Sequence, residues 1–368
     1  MSDENTYGTS RLAVFQLESE GVTNRRRQTM QAGSFLGSLS PLINSMRLFG
    51  LYFTRRPGRS NSSGEGGTTI RVSRQLVAGC EDWSFARIYA TIMLVVTSLN
   101  AVRQLLIFDG KETIGAALFM KLALIPAVLL NVVLHATYYV ACHTGSLQRV
   151  FVQADLSMTK LITKYSCRAK VVTVLCWLFV AWNMFHYTYQ LFFGGRLKDL
   201  TIILLENALP EPYMYVVKAV LIVVQLHTFA VWFFPLAMNY MVMTCLCDQF
   251  DALNNEFSRC IGERRQFDGD FGQFRQRHQI VSRSVQEADR FLMISNGASF
   301  CCEVITIILV LYSTIFYRDN TISLDPESTF LYIAWLGFSV FGLALAAGQA
   351  IMVNHMASIS IIHLFYLS

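Results

Sequence analysis

Charge is what this chain has least of. Only 15% of its 368 residues are Asp, Glu, Lys or Arg, against about 25% in a soluble domain. Hydrophobic residues make up 53% and mean hydropathy is +0.40. Proline is scarce too, with seven in the whole chain, so few helices need be interrupted. The nine cysteines are scattered, and neither Cys245-Leu-Cys247 nor Cys301-Cys302 has the paired spacing of a zinc site. His135 and His143 stand eight apart, as do His355 and His363, just over two helical turns, so a shared metal would need ligands from elsewhere. No Ser-His-Asp set, paired catalytic carboxylates, P-loop or dinucleotide fingerprint occurs. An enzyme reading therefore has no support, and neither metal nor cofactor is expected. Residues 1–40 are polar and lack a compact apolar h-region, so no cleavable signal peptide is expected.

What the chain has in excess is apolar run length. A span needs about 20 mainly apolar residues, and six segments qualify: 84–106, 113–142, 171–194, 216–247, 296–316 and 329–354. The first is the weakest, with Arg87 and Arg103 near its ends, where they can snorkel. The expectation is an all-α, polytopic membrane helical bundle.

Lys and Arg set its orientation. Segment 1–82 holds ten, 143–170 five and 247–295 seven, whereas 107–112, 195–215 and 317–328 hold one, two and one. Twenty-two against four places the N-terminus in the cytosol and makes the net charge of +5 mostly a topology signal rather than a nucleic-acid signal. A G-protein-coupled receptor would be the other way up. No cysteine falls in an outside segment, so extracellular disulfides are not expected.

Within 1–82 the composition reads as disordered, except for a short amphipathic stretch at 39–53, expected to lie as a helix near the membrane. The fourth span runs past the bilayer with Phe250, Leu253 and Phe257 in 3,4 steps. The pattern breaks at "ERRQFDGDFG" and resumes at Phe274, His278, Val281, Val285, Ala288 and Leu292, leading into the fifth span. That predicts an antiparallel cytosolic hairpin over 247–295. The sixth span likewise continues to about Leu364, so spans four to six all carry long cytosolic extensions.

The inferred topology, together with "PLINSMRLFGLYF" before the first span, "LNNEFSRC" after the fourth and "RHQIVSRSVQEADRFL" before the fifth, resembles the insect gustatory receptor family. The resemblance covers about 40–365, with His278 in the place of the family's His-x-x-hydrophobic element. It implies a ligand-gated, non-selective cation channel assembled as a homo- or hetero-tetramer. It further implies a small-molecule tastant bound toward the outer side, a cytosolic anchor domain joining subunits, and residence in the plasma membrane of a sensory neuron. The family closes with a seventh, pore-lining span bearing a Thr-Tyr…Gln-Phe signature, whereas this sequence closes at "IIHLFYLS". The chain as given is therefore expected not to conduct alone. Two alternatives stay open: a non-conducting subunit that modulates full-length receptors, and a membrane transporter.

For the ligand site, Lys121 lies in the second span about 12 Å from its outer end, where a cation is costly and faces a partner or a cavity. The outer third span is aromatic, with His186, Tyr189 and Phe193 on one helical face. Gln225 and His227 sit among aliphatics in the fourth span, and Tyr332 and Trp335 open the sixth. Together they fit an aromatic pocket with a few polar groups. They fit equally an interfacial aromatic belt with ordinary helix packing. For subunit contact, the seam supplies Phe250, Leu253, Phe257, His278, Val281, Val285, Ala288 and Leu292. Charges introduced at Val281 and Val285 are predicted to abolish oligomerisation while leaving membrane insertion intact. Unchanged oligomers on native gels would contradict that role.

Overall fold

The computed structural model describes residues 35–54, 85–105, 116–157, 162–193, 210–260, 271–316 and 326–365. Within them every regular element is a helix: α1 (Phe35–Ser38), α2 (Ser40–Leu48), α3 (Phe85–Leu105), α4 (Ala116–Thr144), α5 (Ser146–Ser157), α6 (Ile162–Phe193), α7 (Glu211–Cys260), α8 (Phe271–Phe316) and α9 (Pro326–Phe365). Six of these, α3, α4, α6, α7, α8 and α9, are long and apolar enough to cross a membrane. They match the six runs expected from the sequence. Ile92, Val95 and Leu99 on α3, Val174, Leu178 and Phe185 on α6, and Ile333, Val340 and Phe341 on α9 face outward. Such outward apolar faces suit hydrocarbon, since the helices satisfy their own backbone groups internally.

The extensions are present. At 1.5 Å per residue, the 50-residue α7 is about 75 Å long and the 46-residue α8 about 69 Å, against a hydrocarbon core of about 30 Å. Beyond the spans the two close on each other through the seam. Phe257 meets Phe274 with ring centroids 4.8 Å apart, and Phe250 meets the edge of His278 at 6.5 Å. On the rim, Arg277 bonds both carboxylate oxygens of Glu256, at 2.5 and 2.6 Å. Phe250, Leu253, Phe257, Val281, Ala288 and Leu292 are each buried within the single chain, and Val285 packs against the same core. A charge at Val281 therefore strikes the hairpin's own closure before any contact between copies.

The segment 143–170, read from sequence as a loop, contains a helix. Gly145, at φ +70°, ends α4 in the left-handed region that suits glycine. The Ser146 hydroxyl and the Arg149 guanidinium donate to the carbonyls of Ala141 and Thr144, which the helix end leaves open. In α5, Leu147, Val150, Phe151 and Ala154 repeat at helical spacing and are buried. Arg149 then reaches Glu287 of α8 at 3.1 Å. A second tie joins α6 to α7, where Lys164, Tyr165 and Arg168 all bond Asp248 Oδ2, at 3.2, 2.6 and 3.3 Å.

The amphipathic stretch also differs from expectation. Rather than lying beside the bundle, α1, α2 and the residues after them are packed into its basic end, among α4 to α7. Leu39, Leu42, Met46 and Leu51 are fully buried. Phe49 stacks on Phe234 at 5.7 Å and stands 5.7 Å from Trp177, whose indole N–H donates to Ser45 Oγ at 3.1 Å. The sequence pattern of one apolar face was correct; what covers that face is protein rather than lipid. The stretch turns at Gly50, φ +69°, with Leu51 N–H bonded to Met46 O and Gly50 N–H to Arg47 O. That pair of bonds is the Schellman arrangement. A Cβ at Gly50 would stand 3.0 Å from Met93 Cβ and 3.1 Å from Ala90 Cα. Gly50→Ala is therefore expected to lower stability by about 1–3 kcal/mol, read as a lower thermal midpoint of the detergent-purified chain. An unchanged midpoint would mean that this close approach is not tight.

Candidate functional site

A cleft opens between α4, α7, α8 and α9, lined by Ala127, Leu130, Trp232, Cys302, Glu303, Thr306, Trp335 and Ser339. Helical spacing assembles it: Glu303 and Thr306 on α8, Trp335 and Ser339 on α9, and Ala127 and Leu130 on α4 each lie three or four apart. The cleft has a cavity volume of about 10 Å³. It is thus nearly closed, with room for roughly one water.

Glu303 is its chemical centre. The residue is only 4% exposed. Two donors face its carboxyl, the Ser339 hydroxyl and the Trp232 indole N–H. The indole falls outside strict hydrogen-bond geometry, so we count Ser339 as the firm partner and Trp232 as a wall. Gly342, one turn beyond Ser339, leaves space for the carboxyl, since a Cβ there would stand 3.5 Å from Glu303 Oε1. A carboxyl at membrane depth is costly and marks function by default.

Elsewhere in the bundle, polar groups pair between helices. Thr97 of α3 sits between two imidazoles, 2.9 Å from Nδ1 of His135 on α4 and 2.9 Å from Nε2 of His227 on α7. Its hydroxyl donates to Met93 O at 2.9 Å. Both facing ring nitrogens must then carry the hydrogen, which fixes opposite neutral tautomers for the two histidines. Along the same seam, Asn100 donates to Thr228 at 2.9 Å and Gln104 to Gln225 at 3.4 Å. A second knot joins α4, α7 and α8: the Tyr138 hydroxyl meets Asn239 Oδ1 at 2.5 Å, and the Asn239 amide reaches Ser295 at 2.6 Å and Asn296 at 3.1 Å.

The residues singled out from the sequence are dispersed over this frame. Trp335 lines the cleft. Gln225 and His227 are buried but spent on the α3–α7 seam. On α6, His186 is half-buried and Tyr189 exposed, and neither lines the cleft. The side chains of Lys121, Phe193 and Tyr332 lie outside the described residues. Sequence reasoning missed Glu303, although the signal was available: it is a lone acid inside "CCEVITIILV". Trp232, Thr306 and Ser339 were missed for another reason, that apolar and hydroxyl residues are ordinary in a span.

Against known proteins, neither a family model nor a curated relative matches the sequence. Among solved structures, the fold is similar to that of the insect olfactory receptor OR5 from Machilis hrabei, with a TM-score of 0.51 and 14% identity over 87% of this chain and 83% of that one. The likeness is one of fold: an insect olfactory receptor-like helical membrane bundle.

Thr97→Val removes the oxygen that two buried imidazoles share, whereas Thr97→Ser keeps it. Val is expected to cost about 1–3 kcal/mol and Ser to stay near the parent, measured by thermal unfolding in detergent. Equal midpoints for the two variants would remove the seam from the account of stability.

Proposed function

We propose that this chain is a chemosensory receptor subunit of the gustatory kind, working in a ligand-gated, non-selective cation channel. It assembles with other copies or related subunits as a tetramer in the plasma membrane, with its N-terminus in the cytosol, and detects small-molecule tastants. The observation that carries this reading is the cleft between α4, α7, α8 and α9, inside a bundle similar in fold to an insect olfactory receptor. The cleft has two indole walls and a single carboxyl, the apolar-with-few-polar-groups make-up of small-molecule sites.

The geometry also suggests how occupancy is read out. Both α8 and α9 line the cleft and continue, as single helices, far toward the basic end. A ligand larger than the present space must part them, and rigid helices carry that displacement to the anchor hairpin. Ligand binding can shift the channel only by its differential affinity for the parted and closed states. A nearly closed resting cleft supplies that difference.

The test is expression of the full chain in heterologous cells, alone and with a full-length related subunit, under a panel of sugars, bitter compounds and amines. Ligand-evoked cation current is the expected result on co-expression with the related subunit. Trp335→Ala is expected to reduce the response about tenfold or more, by removing one wall of the site. Ligand-dependent uptake of the compound without current would favour a transporter and overturn the proposal.

A further inference from the structure

We infer that the cleft is selective for small protonated amines, with Glu303 as the counter-ion and the two indoles as walls. This rests on the cleft being the ligand site proposed above and adds the ligand's chemical class. The argument begins with what Glu303 lacks. The residue is buried, only 4% exposed, yet no Lys, Arg or His is among the described residues lining the cleft. The groups acting on it are a hydroxyl and an indole, both donors and neither a cation. Buried carboxyls elsewhere in proteins are paired or neutral. Here one lines a cleft, with no cationic side chain beside it among the described lining residues.

An ammonium group supplies the missing partner. It brings up to three N–H donors to carboxylate oxygens that Ser339 leaves with spare acceptor capacity. Charge-assisted hydrogen bonds of this kind are roughly twice as strong as neutral ones. Trp232 and Trp335 line the same cleft, and tryptophan is the best of the aromatic cation partners. The lining beyond these groups is apolar, with Ala127 and Leu130 on α4, so the rest of the ligand is expected to be hydrocarbon. The space as it stands has room for roughly one water, so an amine with a short alkyl or single-ring tail enters by parting the lining helices, as proposed above. A sugar is disfavoured, because its many hydroxyls would face only Thr306, Ser339 and one carboxyl. An anion is excluded by Glu303 itself when that residue is ionised.

The experiment compares two probes of one skeleton on the full-length chain in lipid nanodiscs. 2-Phenylethylamine carries the ammonium, and 2-phenylethanol replaces it with a neutral hydroxyl. Binding is followed by quenching of tryptophan fluorescence and by isothermal titration. The parent chain is expected to bind the amine about tenfold or more tighter than the alcohol. Glu303→Gln, of nearly the same shape, should bring the two probes level while alcohol binding persists, which also shows that the variant is folded. Glu303→Asp should keep the preference for the amine with weaker binding.

Equal binding of amine and alcohol by the parent chain would overturn the amine inference while leaving a ligand cleft in place. A preference that survives Glu303→Gln would overturn the role of Glu303. Binding of neither probe, with the parent folded by its thermal midpoint, would overturn the inference and the proposed ligand site together.

Discussion

Helices surrounded by hydrocarbon gain little by hiding apolar side chains from one another, because lipid tails are as apolar as leucine. What fixes this bundle is the pairing of polar groups across helix boundaries. Tyr138, Asn239, Ser295 and Asn296 hold α4, α7 and α8 at one level, and Thr97, His135 and His227 hold α3, α4 and α7 at another. Each knot is directional, so each sets rotation as well as distance. Pro235 takes part as well: its carbonyl accepts the Tyr138 hydroxyl at 3.0 Å, at a point where the helix ladder already lacks one donor.

Outside the spans the physics changes. The α7–α8 hairpin is held by water-driven burial, with Phe250, Leu253, Phe257 and Phe274 each contributing about 1.5–3 kcal/mol, and by ion pairs on its rim. Those pairs are exposed; Arg277 and Glu256 are nearly half accessible, so they specify register more than they stabilise. The single chain thus joins two regimes, one directional and one greasy, along continuous helices.

The spans were legible because run length is a one-dimensional property. The hairpin was legible because a 3,4 seam repeats on a scale the eye can count. α5 was passed over although Leu147, Val150, Phe151 and Ala154 show helical spacing; a short helix beside a longer apolar run is easily absorbed into a loop. The packing of 39–53 into the bundle was not legible, since one apolar face fits lipid and protein alike. At the candidate site the residues chosen for being aromatic or charged were spread over several helices. Gln225 and His227 were conspicuous for polarity, yet the fold uses them as fasteners. Glu303 could have been found by the rule that picked Lys121, that an ionisable group in a span demands a reason. Which helices meet around it is a property of three dimensions only.

The seating of Phe49 against Trp177 and Phe234 has a consequence for biogenesis. Residues 35–53 leave the ribosome before any of the helices that receive them exist. They cannot take their place until α6 and α7 have been inserted, so a segment made early is placed late. Its contacts are long in sequence and correspondingly slow to form. Until they form, Phe35, Leu39, Leu42 and Met46 make an uncovered apolar strip, a window in which chaperones and quality-control proteases have access. The segment's arrival marks a bundle that has finished assembling.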